Sequence, residues 1–164
     1  GKQLLFMGQE FAQGAEWSEA HGPEWWLLDP GYASAGDHEG VRDLVADLNA
    51  RYRATPALWE RDTDPGGFRW VLGDAGDDNV FAFLRFGADG TPLLAVSNFS
   101  PVVRHDYRLA VPDSVIAWHE ALNTDAARYG GSDVTNPGPV KPEDGHISLT
   151  LPPLATVWLL PERM

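Results

Sequence analysis

Three positions near the start of the chain bring carboxylates and indoles within one stretch: Glu10, Glu16 beside Trp17, and the pair Trp25-Trp26. Carboxylates accept hydrogen bonds from hydroxyl groups, and flat indole faces stack on the apolar faces of sugar rings. Glu10 follows a short apolar run directly, and Trp25-Trp26 closes the same long loop. In a (β/α)8 barrel, the loops after the C-terminal strand ends form the active site. A set of this kind there would hold a carbohydrate. Each residue also has a packing use, Glu10 as a buried, hydrogen-bonded barrel carboxylate and the two indoles as cover over a barrel rim. The sequence leaves both uses open. Twenty-four acidic residues make any chosen pair easy to find, and spacing alone cannot give the carboxyl separation that glycoside hydrolysis needs.

Other chemistries find little support. The five histidines, His21, His38, His105, His119 and His146, lack the i, i+4 spacing of a helical zinc motif, and cysteine is absent. No metal site and no cofactor are expected. Gly66-Gly67 and Gly130-Gly131 sit at turns, and neither opens a helix after a strand as a phosphate loop does. Ser18, Ser97 and Ser100 lack the Gly-x-Ser-x-Gly elbow of a serine nucleophile.

The elements that must position the acids and indoles are legible. Residues 3–7, QLLFM, form a continuous apolar run that Gly8 ends, as in a strand buried on both faces. Residues 9–36 are irregular and too long for an idle connection. Val41, Leu44, Val45, Leu48 and Tyr52 recur at helical spacing, so a helix is predicted over residues 37–53 with Asp37 as its N-cap. Thr55-Pro56 ends it. This is one βα unit, which cannot bury both faces alone and so implies partners. After Phe68 the period turns to two: Val103, His105, Tyr107, Leu109 and Val111 alternate with Arg104, Asp106, Arg108 and Ala110, and Ile147, Leu149 and Leu151 with His146, Ser148 and Thr150. Further strands are predicted at 68–72, 79–86, 93–99, 115–120 and 156–160, separated by Pro, Gly, Asp and Asn turns. Seven short strands in this span read as an antiparallel β-sandwich.

The chain has 164 residues, and its 43% hydrophobic content is that of a globular protein. A net charge of −12 repels phosphate backbones and anionic lipid, so neither nucleic acid nor membrane is an expected partner. No apolar run approaches the roughly 18 residues of a membrane span. The opening GKQLLFMGQEF does not read as a secretion signal, and a start without Met reads as a fragment or processed product.

The segment FMGQEFAQGAEW resembles the last barrel strand of the 1,4-alpha-glucan (glycogen) branching enzymes, in the alpha-amylase superfamily. The similarity runs on through HEGVRDLVADLNARYR, RDTDPGGFRWV, AVSNFSPVVRHDYRLAVP, LNTDAARYGGS and SLTLPPLATVWLL, in the family's order. MGQE is shared across several amylase relatives; SNFSPVVRHDY and LNTDAARYGGS point to branching enzymes. The chain departs at EWWLL, where many relatives read DWHLL.

The resemblance implies an α+β fragment: residues 1–55 as the eighth strand, loop and eighth helix of the catalytic (β/α)8 barrel, 56–67 as a connection, and 68–164 as the C-terminal β-sandwich. The family's nucleophilic Asp, acid/base Glu and assisting Asp follow strands four, five and seven, so no catalytic residue is carried onto this chain. The whole enzyme would be a cytoplasmic hexosyl transferase of glycogen biosynthesis. It would cleave an alpha-1,4 link with retention and pass the segment to a glucan 6-hydroxyl. The implied partners are glycogen or other alpha-glucan chains and the remainder of the barrel. Glu10, Trp17, Trp25 and Trp26 would form one wall of the glucan cleft, and the chain alone would be inactive. The other reading is a non-catalytic β-sandwich module of another alpha-amylase-family enzyme that binds glucan or stabilises the barrel.

Overall fold

The computed structural model of the chain describes residues 3–74 and 76–163. Gly1 and Lys2, which head the first expected segment, lie outside the described residues. A long irregular segment leads into helix α1, Ala35–Ala54, and seven strands follow. They are β1 Phe68–Leu72, β2 Val80–Phe86, β3 Pro92–Asn98, β4 Arg104–Ala110, β5 Val115–Asn123, β6 His146–Leu151 and β7 Ala155–Arg163. Five of them make one antiparallel sheet in the order β1-β2-β3-β7-β5, and β4 pairs with β6 as a second. The architecture is an antiparallel all-β domain, as alternation and turn residues predict.

Alternation decides which residues meet between the sheets. Val80, Ala82 and Leu84 of β2 point inward with Leu94, Val96, Val157 and Leu159. Leu109, Ile147, Leu149 and Leu151 come from the smaller sheet, and Trp118 is buried among them. The simple alternation of 103–111 fails at one place. Asp106 takes a φ of 52°, and the pairing steps from Arg104↔Leu151 to Tyr107↔Leu149. This β-bulge sets two residues against one and re-aims the strand. His105 therefore faces solvent, while Arg104 reaches in to donate to the Asp78 carbonyl at 3.0 Å. Strand β7 runs three residues beyond the predicted end. It passes through Pro161 because, past Leu159, the ladder continues only toward β5.

The outer face of the large sheet is also apolar. Leu93 and Ala95 bury against Ala57 and Leu58, with Tyr52, Phe83, Trp158 and Leu160 around them. Arg85 fixes the chain before β1 to this face. Its guanidinium donates to the Gly67 carbonyl at 3.1 Å and the Leu58 carbonyl at 3.4 Å, and to Asp62 Oδ1 at 2.7 Å. Both side chains of that ion pair are nearly buried.

Helix α1 begins at Ala35, with Ser34 flanking it, so the predicted N-cap at Asp37 is corrected. Asp37 lies inside the first turn, and its amide already donates to the Ser34 carbonyl at 3.0 Å. Its carboxylate still suits the positive end of the helix dipole. The stripe Val41, Leu44, Val45, Leu48 and Tyr52 is only half-buried.

The first predicted strand is likewise corrected. Residues 3–6 have no regular secondary structure and Met7 begins a turn; Leu4, Leu5, Phe6 and Met7 are 83%, 56%, 50% and 48% exposed. A strand is held by its neighbours' hydrogen bonds, and among the described residues none runs beside QLLFM. The seven strands of the sandwich pair with one another instead.

Candidate functional site

The loop after residue 7 is shaped by its own hydrogen bonds. Gly8 has a φ of +91°, where a side chain would be strained, and its added Cβ would meet Gln13 at 2.8 Å. The Glu10 carboxylate turns back to accept from the Gly8 amide at 2.9 Å, so one of its oxygens is spent on the turn. Gln13 and Glu24 then close the loop from both sides. Gln13 Oε1 accepts from the Glu24 amide at 2.8 Å, and Glu24 Oε2 accepts from the Ala15 amide at 3.2 Å. A 3-10 turn at Trp25–Leu28 buries Leu27 and leaves the preceding two indoles outward.

Each indole has an aromatic support. Trp17 meets the edge of Phe6 at 6.1 Å. Trp25 stacks on Phe11 at 5.1 Å, and Trp26 meets Tyr32 edge-on at 5.1 Å. The three indoles stand about half exposed, and their ring contacts are with these supports, not with one another. Glu10 is bonded to its own turn. The loop thus presents separate, half-exposed flat apolar faces, a surface for ring stacking.

A second aromatic surface escaped the sequence reading. Phe68 stacks on Phe83 at 5.3 Å, Trp70 sits against Phe83 and Phe81 at 6.0 and 6.4 Å, and Phe81 touches Phe99 at 5.8 Å. Trp70 is 56% and Phe99 62% exposed. The signal was present as Phe68-x-Trp70 and Phe81-x-Phe83. Strand period puts each pair on one face, and the pairing Trp70↔Phe83 brings the two faces together. It was masked because the inner residues, Val80, Ala82 and Leu84, are apolar too.

Acid–base groups with displaced protonation serve the scaffold. Burial, reinforced by the bond to Asp47, pushes the Tyr129 hydroxyl up to about 12. Burial and Asp78 do the same to Tyr107. Among the described residues, no group of three or more His, Asp or Glu is arranged to hold a metal ion.

A family model described as "Alpha amylase, C-terminal all-beta domain" matches residues 70–162. The chain belongs to this family. The alpha-amylase C-terminal domain thus accounts for the sandwich and includes Trp70, Phe81, Phe83 and Phe99, while Glu10, Trp17, Trp25 and Trp26 precede the match. The relatives extend across both parts. A 1,4-alpha-glucan branching enzyme GlgB 2 of Streptomyces avermitilis is 81% identical over 161 residues, covering 98% of this chain and 27% of that protein. GlgB 2 of Streptomyces coelicolor is 77% identical over the same share of this chain and 22% of its own length. GlgB of Kitasatospora aureofaciens is 65% identical, with 98% and 22% covered. The chain spans about a quarter of the length of these curated relatives. Among solved structures, an AmyP variant in complex with maltotriose aligns with a TM-score of 0.56 at 16% identity, over 77% of this chain and 21% of that one. That likeness bears on the fold alone.

Proposed function

We propose that this chain is the C-terminal part of a 1,4-alpha-glucan branching enzyme, a cytoplasmic hexosyl transferase of glycogen biosynthesis. The observation that carries the reading is the 81% identity with a branching enzyme over 161 residues, which takes in the aromatic loop, the helix and the sandwich together. In this reading residues 1–55 are the last βα unit of a catalytic (β/α)8 barrel, 56–67 connect, and 68–164 form the sandwich domain. The exposed Leu4–Met7 run and the half-covered stripe of α1 support it, because both are surfaces a neighbouring strand and helix would cover. Barrel residues outside this chain break the C1–O4 bond, releasing a protonated 4-hydroxyl and leaving the segment on a carboxylate. A glucan 6-hydroxyl then attacks C1, gives up its proton and frees the carboxylate. Glu10, Trp17, Trp25 and Trp26 contribute one wall of the cleft and no catalytic group.

The test is to incubate amylose with the full-length protein and with this chain alone. Iodine absorbance should fall, and debranchable alpha-1,6 links should appear, only with the full-length protein. Branch formation by this chain alone, or plain hydrolysis by the full-length protein, would overturn the proposal.

A second reading, a glucan-binding module without catalysis, draws on the aromatic ribbon from Phe68 to Phe99. Its exposed Trp70 offers a ring face beyond what the core requires. Affinity electrophoresis in glycogen gels should show retardation that Trp70→Ala relieves; equal mobility with and without glycogen would leave the ribbon a packing surface.

A further inference from the structure

We propose that His38 is a positioning residue that fixes the angle between the Trp25 and Trp26 indoles, and with it the fit of that pair to a glucan. The glucan part rests on the cleft-wall reading above; the positioning part stands on geometry.

Trp25 and Trp26 are neighbours in a 3-10 turn. At three residues per turn, successive side chains diverge by about 120°. One support therefore cannot hold both, and each indole leans on a different ring. His38 joins the two supports. Its Nδ1 lies 2.9 Å from the Phe11 carbonyl oxygen, 27 positions away in sequence. A carbonyl only accepts, so Nδ1 carries the proton and donates it. Phe11 is buried, and Trp25 is stacked on its ring with 29° between the planes. The imidazole also meets the Tyr32 ring, 5.9 Å away between centroids, and Tyr32 carries Trp26 edge-on at 82°. His38 itself sits half-buried in the first turn of α1. The helix thus reaches Trp25 through a hydrogen bond and Trp26 through a ring contact, from one side chain.

The two links can be cut separately. His38→Phe keeps a ring against Tyr32 but removes the donor to Phe11. His38→Asn keeps an amide nitrogen at the same bond distance from the backbone as Nδ1 but removes the ring. The chain has seven Trp, so 5-fluorotryptophan labelling and fluorine NMR can follow each, with assignments from single Trp→Phe variants. In His38→Phe the Trp25 resonance should shift and broaden while Trp26 stays near its native position. In His38→Asn the pattern should reverse. Trp158, on the sandwich, should move in neither and so reports that the fold is intact. If either variant fails to fold, the other still carries its half of the pattern.

A maltoheptaose titration of the same resonances in the full-length protein, where the cleft is whole, reads the glucan part. His38→Phe should bind roughly fivefold to tenfold more weakly at Trp25 and Trp26, the scale of one lost hydrogen bond, and His38→Asn, which loses the ring contact instead, should also bind more weakly. Unmoved resonances in folded variants would overturn the positioning claim whatever the sugar does. Moved resonances with unchanged affinity would overturn its glucan consequence. Native indole resonances that ignore maltoheptaose would instead sink the cleft-wall reading and the glucan consequence with it, leaving the variant shifts to decide the positioning claim.

Discussion

Tyr129 donates its hydroxyl proton to Asp47 Oδ2 at 2.5 Å, across 82 positions of sequence. Arg128 meets the same carboxylate oxygen at 3.2 Å. The bond ties a sandwich loop to helix α1. The main chain closes the joint as well: a Cβ added at Gly40 of α1 would lie 2.5 Å from the Tyr129 carbonyl oxygen.

Gly40→Ala should therefore destabilise the chain. On an exposed helix the same change would gain up to about 1 kcal/mol. Here overpacking against backbone should cost about 1–3 kcal/mol. Urea unfolding of the two proteins reads the sign directly, and a more stable Gly40→Ala would mean the helix parts from Tyr129 without penalty.

The same joint sets a pH limit. Tyr129 and Tyr107 have hydroxyls raised from 10.0 to about 12 in the folded chain, chiefly by burial. The unfolded chain thus loses these protons first. Their contribution is complete below about pH 10 and is lost as pH rises toward 12. Guanidinium unfolding across that window should show stability falling, and a Tyr107→Phe/Tyr129→Phe double variant should show a shallower fall.

Asp125 holds the loop that leads into β6. Buried itself, it accepts from the Ser132 amide and the Val134 amide, both at 3.0 Å, and from the Ser132 hydroxyl at 2.8 Å. Asp125→Ala leaves these donors without their acceptor and should cost about 2–4 kcal/mol. Thermal melting checks the size, and limited proteolysis should show new cuts within residues 130–145. A melt within a degree of the parent would contradict the role.

Amide exchange should separate the two parts of the chain. Residues 3–34 contribute no strand to a sheet and expose most of their large apolar side chains, Phe11 and Leu27 excepted, whereas β2, β3 and β7 lie inside a sheet. The first set should exchange orders of magnitude faster. Equal protection throughout would show that the leading segment is held as firmly as the sandwich.

The sandwich was legible because strand alternation is local: Val80, Ala82 and Leu84 announce an inner face without knowledge of the partner sheet. The helix was legible for the same reason. What escaped was non-local. The bulge at Asp106 depends on pairing with β6, and no residue pattern in 103–111 reveals the extra step. The run QLLFM reads as a strand by composition, yet a strand exists only beside another. In the loop, spacing picked out Glu10, Trp17, Trp25 and Trp26 but not their supports. Phe6, Phe11, Tyr32 and His38 are drawn from both sides of the loop and meet only once it closes.

The grip of Arg85 on residues 58–67 matters to anyone who would graft this domain onto a different host. A cut at Phe68, where the strands begin, would discard Asp62 and two carbonyls and strand a guanidinium in an apolar setting. The transplantable cassette starts at about Thr55. A chimera spliced there keeps its short tether bolted down, and the β-layers would ride on their host as a rigid bracket instead of swinging like a pendant.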